Sequence, residues 1–176
     1  NFRSGIAGQG RERRPRMNQQ IIEKLSAFAP ESIRASHEFR GDLTVTVKKE
    51  EIVRIGEFLK NDPDLAFDMV IDLLGVDMYR PEERFEVVYN LYSLKNKAYL
   101  RLKVLVDEQD MQVPTVTGVW PGANWHERET FDMFGLKFTG HPDLRRMYMP
   151  EEFEYDPLRK DFPTMGIPDS LPLPRR

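Results

Sequence analysis

Proline sets the first limit on what this chain can fold into. Nine of its 13 prolines lie in the last 63 residues, between Pro114 and Pro174. Each one fixes φ and removes a backbone donor, so this stretch cannot build long helices or central strands. The same stretch holds Trp120, Trp125, Phe131, Phe134, Phe138, Tyr148, Phe153, Tyr155 and Phe162, which is too aromatic for ordinary disorder. Such a segment wraps either its own domain or a partner, because aromatic and arginine side chains dominate interface energetics. The organisation expected is an extended, Pro-rich, partner-wrapping tail over residues 136–176.

Ahead of the tail, hydrophobic spacing is regular. Asn18 is expected to cap a helix carrying Ile21, Ile22, Leu25 and Phe28, which stops before Pro30. Residues 32–39 and 43–48 read as strands around Gly41-Asp42. Helical spacing returns with Ile52, Ile55 and Leu59 and ends at Asn61-Asp62-Pro63-Asp64. Residues 67–76 form an apolar run of ambiguous type. Residues 85–94 and 99–106 make a hairpin around Lys95-Asn96-Lys97, with Arg101 and Lys103 alternating against Leu100, Leu102 and Val104. The fold class read from this is α+β over residues 17–135, an antiparallel sheet with helices on one face, followed by a buried helix and the tail.

Charge and residue inventory narrow the chemistry. The 176 residues suit one domain, and the net charge is −3, which gives no overall attraction to nucleic acid. Residues 1–16 carry five Arg and one Glu, so the remainder stands at −7. That arm reads as a disordered basic extension ahead of Met17, or as a transit peptide or anionic-surface binder. No apolar run reaches the ~18 residues of a membrane span. The chain has no Cys and only His37, His126 and His141. This excludes thiolate nucleophiles, disulfides and iron–sulfur clusters held by the chain's own thiolates.

The most informative stretch starts at Trp120. Asn124 and Glu127 stand in capping-box spacing, and Gly135 suits the left-handed residue that ends a helix. Trp125, Phe131, Met133 and Phe134 point all round this helix, which therefore reads as buried on every side. Its charges then need partners, and Arg128 and Asp132 sit at i, i+4. Glu127, Glu129 and Asp132 could also be read as general acid and base, with His126 or His141 as relay. No nucleophile, oxyanion nest or phosphate loop accompanies them. Interface ion pairs are the preferred reading, and His141 to Arg146 reads as a turn followed by a basic pair at the same interface.

These residues resemble a known family. Glu127-Arg128-Glu129, Asp132-Met133-Phe134, His141, Arg145 and Met147-Tyr148 together match the signature of the 30-kilodalton, C-type subunit of respiratory complex I, the bacterial NADH–quinone oxidoreductase. The segments 117–125 and 157–163, Gly75-Val-Asp, and 84–89 look like the same family. The resemblance implies a non-catalytic subunit of the hydrophilic arm that carries no cofactor or metal of its own. FMN, iron–sulfur clusters and quinone would be held by other subunits. It implies packing against the 49-kilodalton, D-type subunit that forms the quinone site, close to subunits B and I, peripheral to the cytoplasmic face of the bacterial inner membrane. Residues Asn124, Trp125, Glu127, Arg128, Glu129 and Asp132 would form the docking helix. His141, Asp143, Arg145, Arg146, Arg159, Lys160 and Asp161 would line the contact with the 49-kilodalton subunit. Related subunits occur in membrane-bound nickel–iron hydrogenases, F420 dehydrogenases and the photosynthetic NDH complex.

Overall fold

A computed structural model describes the backbone of residues 6–163 and the side chains of residues 16–163. The chain runs α1 (Ile6–Phe28), β1 (Ile33–Phe39), β2 (Asp42–Val47), α2 (Ile52–Asn61), β3 (Met69–Asp77), β4 (Phe85–Ser93), β5 (Ala98–Val106), β6 (Gln112–Pro114), α3 (Ala123–Phe134) and β7 (Lys137–Thr139). The α+β class holds, with the five longer strands in one sheet ordered β1-β2-β5-β4-β3.

One pairing departs from the antiparallel expectation: β2 and β5 run parallel. The crossover through α2 is the reason. It returns the chain so that β3 starts in the direction of β2, and the β3-β4-β5 meander then brings its last strand in alongside β2 in the same sense. Alternation of apolar residues fixes which face of a strand is buried but not which strand lies beside it.

Cross-strand rows build the core. Val45, Leu102, Tyr89 and Leu73 form one row, and Val47, Val104, Val87 and Gly75 the next. Ile21 and Leu25 of α1 and Ile52, Ile55 and Leu59 of α2 are fully buried in the same core. Trp120 wedges into it, its indole N–H donating to Phe67 O at 2.9 Å. A side chain at Gly56 would meet its ring at 3.0 Å. On the opposite face Arg101 donates to the Asn90 amide oxygen, and Lys103 and Arg80 both pair with Glu86.

Three expectations are corrected. First, α1 is already helical from Ile6, across residues read from sequence as a disordered extension. Asn18 is not a cap: its amide donates to Glu38 Oε2 at 3.0 Å and Gly41 O at 3.1 Å, tying α1 to the β1-β2 turn. Second, the domain does not end at residue 135. β7 pairs with β6 in a small parallel sheet, and α3 is the crossover between them. Third, the segment beyond β7 lies back on its own domain as far as Pro163. Leu158 N–H reaches Met133 O, and Lys160 N–H reaches the Asp77 carboxylate. Residues 1–5 and 164–176, including the last part of the expected tail, lie outside the described residues.

Candidate functional site

Helix α3 packs over β3, and Gly75 makes the close approach possible. A Cβ there would stand 2.8 Å from the Phe134 ring and 2.9 Å from the Thr130 methyl. At the other end, Gly135 adopts φ +75°, and its N–H bonds to Phe131 O, as expected for a helix-ending glycine. The capping box does not form. Asn124 lies inside the helix, Gly122 occupies the cap without a side-chain bond, and Glu127 turns away from the helix start.

Glu127 is fully buried. Its carboxylate accepts from Thr115 Oγ1 at 2.5 Å and from Val116 N–H at 2.8 Å. His141, whose side chain is wholly enclosed, puts Nε2 3.9 Å from the same carboxylate. Burial raises the Glu127 carboxyl to about 7, against the opposing effect of the Thr115 and Val116 bonds. Tyr89, on β4 beneath, has a buried hydroxyl without a hydrogen-bond partner. Burial pushes its phenol up, and the Glu127 charge pushes it further.

Asp132 is the anchor of the following loop. Its Oδ2 accepts from the N–H groups of Met147, Tyr148 and Met149 at 2.9, 2.7 and 3.0 Å. Its Oδ1 accepts from Arg146 Nη1 at 2.7 Å. Burial alone would raise this carboxyl, but the Met149 and Tyr148 amides, Arg146 and the Met147 amide outweigh it and hold Asp132 below its ordinary value. The expected Arg128–Asp132 pair is therefore absent. Arg128 instead donates to the carbonyls of Arg145 and Arg146 at 3.1 and 3.2 Å, so Arg128 and Asp132 are both spent on holding one loop.

A second clamp fixes the end of the described chain. Arg84 bonds both oxygens of Asp77 at 3.1 and 2.8 Å and reaches Glu108 at 2.7 Å and Asp161 at 2.9 Å. Burial pushes Asp77 up, yet Arg84 and the N–H groups of Lys160 and Tyr79 bring it down to about 2. Arg159 donates to Phe134 O at 2.8 Å and pairs with Asp156. Asp161 and Arg159, read from sequence as partner contacts, thus serve internal cohesion; Lys160 contributes its backbone and leaves its side chain exposed.

What remains open is a rim of other side chains. Trp125, expected to be buried, is 61% exposed and carries Arg128 5.0 Å from its ring. Glu129 points outward, and Arg145 is exposed while pairing with Asp143 at 2.7 Å. Tyr148, Tyr155 and Leu158 are exposed on the segment that α3 holds. Tyr155 packs edge-on against Phe153 and Phe162, and Arg146 bonds its carbonyl. The three acidic residues of α3 are not brought together: Glu127 faces Thr115, Asp132 faces the 146–149 loop, and Glu129 faces outward. No shared cleft supports acid–base catalysis between them.

Sequence reasoning missed Tyr89, Thr115, Asp77 and Arg84 as members of these clusters. Arg84 and Asp77 left a usable signal, since two opposite charges stand seven residues apart across one turn, Asp77 closing β3 and Arg84 preceding β4. Tyr89 and Thr115 left none.

Known proteins share both this sequence pattern and this fold. A profile of the family described as respiratory-chain NADH dehydrogenase, 30 Kd subunit, matches residues 45–167. The C-type subunit of NADH-quinone oxidoreductase from Roseiflexus sp. (strain RS-1) is 55% identical over 146 residues, 83% of this chain and 84% of that protein. The second of the corresponding subunits from Rhizobium meliloti (strain 1021) is 53% identical over 143 residues, 81% of this chain and 76% of that protein. Among solved structures, a trypsin-resistant fragment of Nqo5 aligns with a TM-score of 0.60 and 33% identity over 73% of this chain and 99% of the fragment. A chain of the membrane-bound sulfane sulfur reductase, an archaeal respiratory membrane complex, shares the fold at a TM-score of 0.71 and 23% identity, over 84% of this chain and 86% of its own.

Proposed function

Because the chain belongs to the 30 Kd subunit family of respiratory-chain NADH dehydrogenase, and so to a multi-subunit NADH–quinone oxidoreductase, we propose that it acts there as a scaffold rather than as a catalyst. Its docking face is α3 with the loop and segment that α3 holds, from Trp125 to Leu158. The partner on this face is the 49-kilodalton quinone-site subunit, with subunits B and I nearby. FMN, iron–sulfur clusters and quinone reside in those and other subunits, on the cytoplasmic side of the bacterial inner membrane.

The observation that carries this reading is the contrast within one face. Asp132 and Arg128 hold the backbone of residues 145–149 by charge-assisted bonds, and Arg84 and Arg159 tie down the end of the segment through Asp161 and Phe134 O, while Trp125 on α3 and Tyr148, Tyr155 and Leu158 on the segment are exposed. A rigid frame that presents large aromatic anchors loses little side-chain entropy on association and is what an interface hot spot requires. No helix among the described residues is long and apolar enough to cross a membrane, which suits a peripheral arm. The names of the close relatives favour NADH–quinone oxidoreductase over hydrogenase-type or F420-linked machines.

The test is to purify the assembly through this chain, identify its subunits, and repeat with Trp125→Ala and Glu129→Gln. The expected result is recovery of the 49-kilodalton subunit together with B and I by the native chain, and weaker recovery by the variants, at unchanged turnover per assembled complex. Normal assembly with lost turnover would overturn the scaffold role.

A further inference from the structure

We propose that Glu127 and His141 form a proton-sensitive latch that couples the charge state of the domain interior to the order of the docking loop His141–Met149. Four observations support it. Glu127 is fully buried and has no Lys or Arg within ion-pair distance among the described residues; His141, at 3.9 Å, is the one group that reaches that distance. The ring of His141 is itself a bridge. Its Nδ1 accepts from Asp143 N–H at 3.0 Å, and its Nε2 faces Asn124 O at 3.2 Å. That pattern assigns the neutral tautomer with the proton on Nε2. Finally, the titratable group on the sheet side is Tyr89, whose hydroxyl is buried and unpartnered.

Together these leave an ionised Glu127 without a counter-charge. Protonated, Glu127 fits: the 2.5 Å contact can run from the acid to Thr115, which has Thr117 Oγ1 at 2.9 Å to pass its own hydroxyl proton to. Ionised, it is a lone buried carboxylate, relieved only by admitting water. The side chain that stands 3.9 Å from it is His141, and displacing that ring gives up its contact with Asp143 N–H, the first turn of the loop. Deprotonation of Glu127 therefore loosens the loop that starts at His141. The consequence for docking rests on the reading of this face given above; the latch does not.

Amide hydrogen exchange on the full chain tests it, followed at Asp143 and at Met147, Tyr148 and Met149 across pH, with intrinsic rates corrected. If opening frees Glu127 to titrate as in water, protection should fall about tenfold per pH unit between the solution value of 4.5 and the buried value of about 7, then level off. Glu127→Gln should give a flat profile, and Tyr89→Phe should keep the native slope. A flat native profile, or the same slope in Glu127→Gln, overturns the latch. The native profile decides even if the glutamine variant does not fold. If the slopes behave as stated but Trp125→Ala assembles normally, the latch stands and the docking face is wrong.

Discussion

Replacing Asp132 by Asn is the sharpest test of how this domain holds its loop. The side chains are nearly the same size, so no cavity opens and packing of α3 on β3 is untouched. What changes is the acceptor. The carboxylate serves three amides at 2.7–3.0 Å and the Arg146 guanidinium at 2.7 Å from a fully buried position. An asparagine keeps one carbonyl oxygen for the amides and turns an NH2 group toward Arg146, where a donor meets a donor. Hydrogen bonds to a charged group contribute about 1.5–3 kcal/mol each and neutral ones about 1 kcal/mol. Removing one partner of a fully buried ion pair costs about 3–5 kcal/mol. Arg146 keeps 17% of its side chain in water, which places the expected loss near the lower limit, about 3 kcal/mol. Urea unfolding followed by circular dichroism reads this directly. With a slope of about 2 kcal/mol/M, the midpoint should fall by about 1–2 M. Glu129→Gln, one turn away but exposed, should leave it within about 0.3 M. If Asp132→Asn also unfolds within about 0.3 M of the native chain, the carboxylate does not anchor the loop and the docking face is not pre-organised by it.

Other expectations follow from the same geometry. Glu127 has a folded value raised above its solution value, so its contribution is intact below about pH 4.5 and is lost as pH rises to about 7; above that, Glu127→Gln should be more stable than the native chain by about 3 kcal/mol in equilibrium unfolding. Asp77 is shifted the other way, from 3.8 to about 2. Its contribution, about 2 kcal/mol, should therefore be present above pH 4 and vanish as pH falls through about 2, so Asp77→Asn should lower the unfolding midpoint at pH 6 and have little effect at about pH 2. Gly75→Ala sets a methyl against Phe134 and Thr130 at 2.8 and 2.9 Å and should destabilise by about 1–3 kcal/mol through overpacking, seen as a lower thermal midpoint. Trp125→Ala should leave the midpoint of the isolated chain nearly unchanged, because the ring is mostly in water.

The contrast between Asp132 and Glu129 also shows how far a sequence can be read. Both lie on one short helix, and both matched a family pattern whose residues were expected to meet a partner. Helical spacing says that Arg128 and Asp132 can touch, but it carries no information about a loop 14 residues later that offers three amides and a guanidinium. The same holds for Glu127, whose spacing from Asn124 suited a capping box while Thr115 and Val116 supplied better donors. Likewise, Arg159 and Asp161 looked like free charges in a tail until Phe134 O and Arg84 were found opposite them.

Local chemistry alone determined a good deal about this protein. Turn residues and alternation located the β1-β2 and β4-β5 hairpins, helical spacing located α2, and Gly135 marked the end of α3, because each depends on neighbours within a few residues. The long motif from Glu127 to Tyr148, with its flanking segments, identified the family. The parallel joining of β2 to β5, the outward turn of Trp125 and the return of residues 140–163 onto the domain were decided only by the tertiary structure. So was the division of labour among charges, some holding the frame and others left facing outward. Those outcomes depend on which distant groups compete for each donor and acceptor, and that competition exists only once the chain has closed on itself.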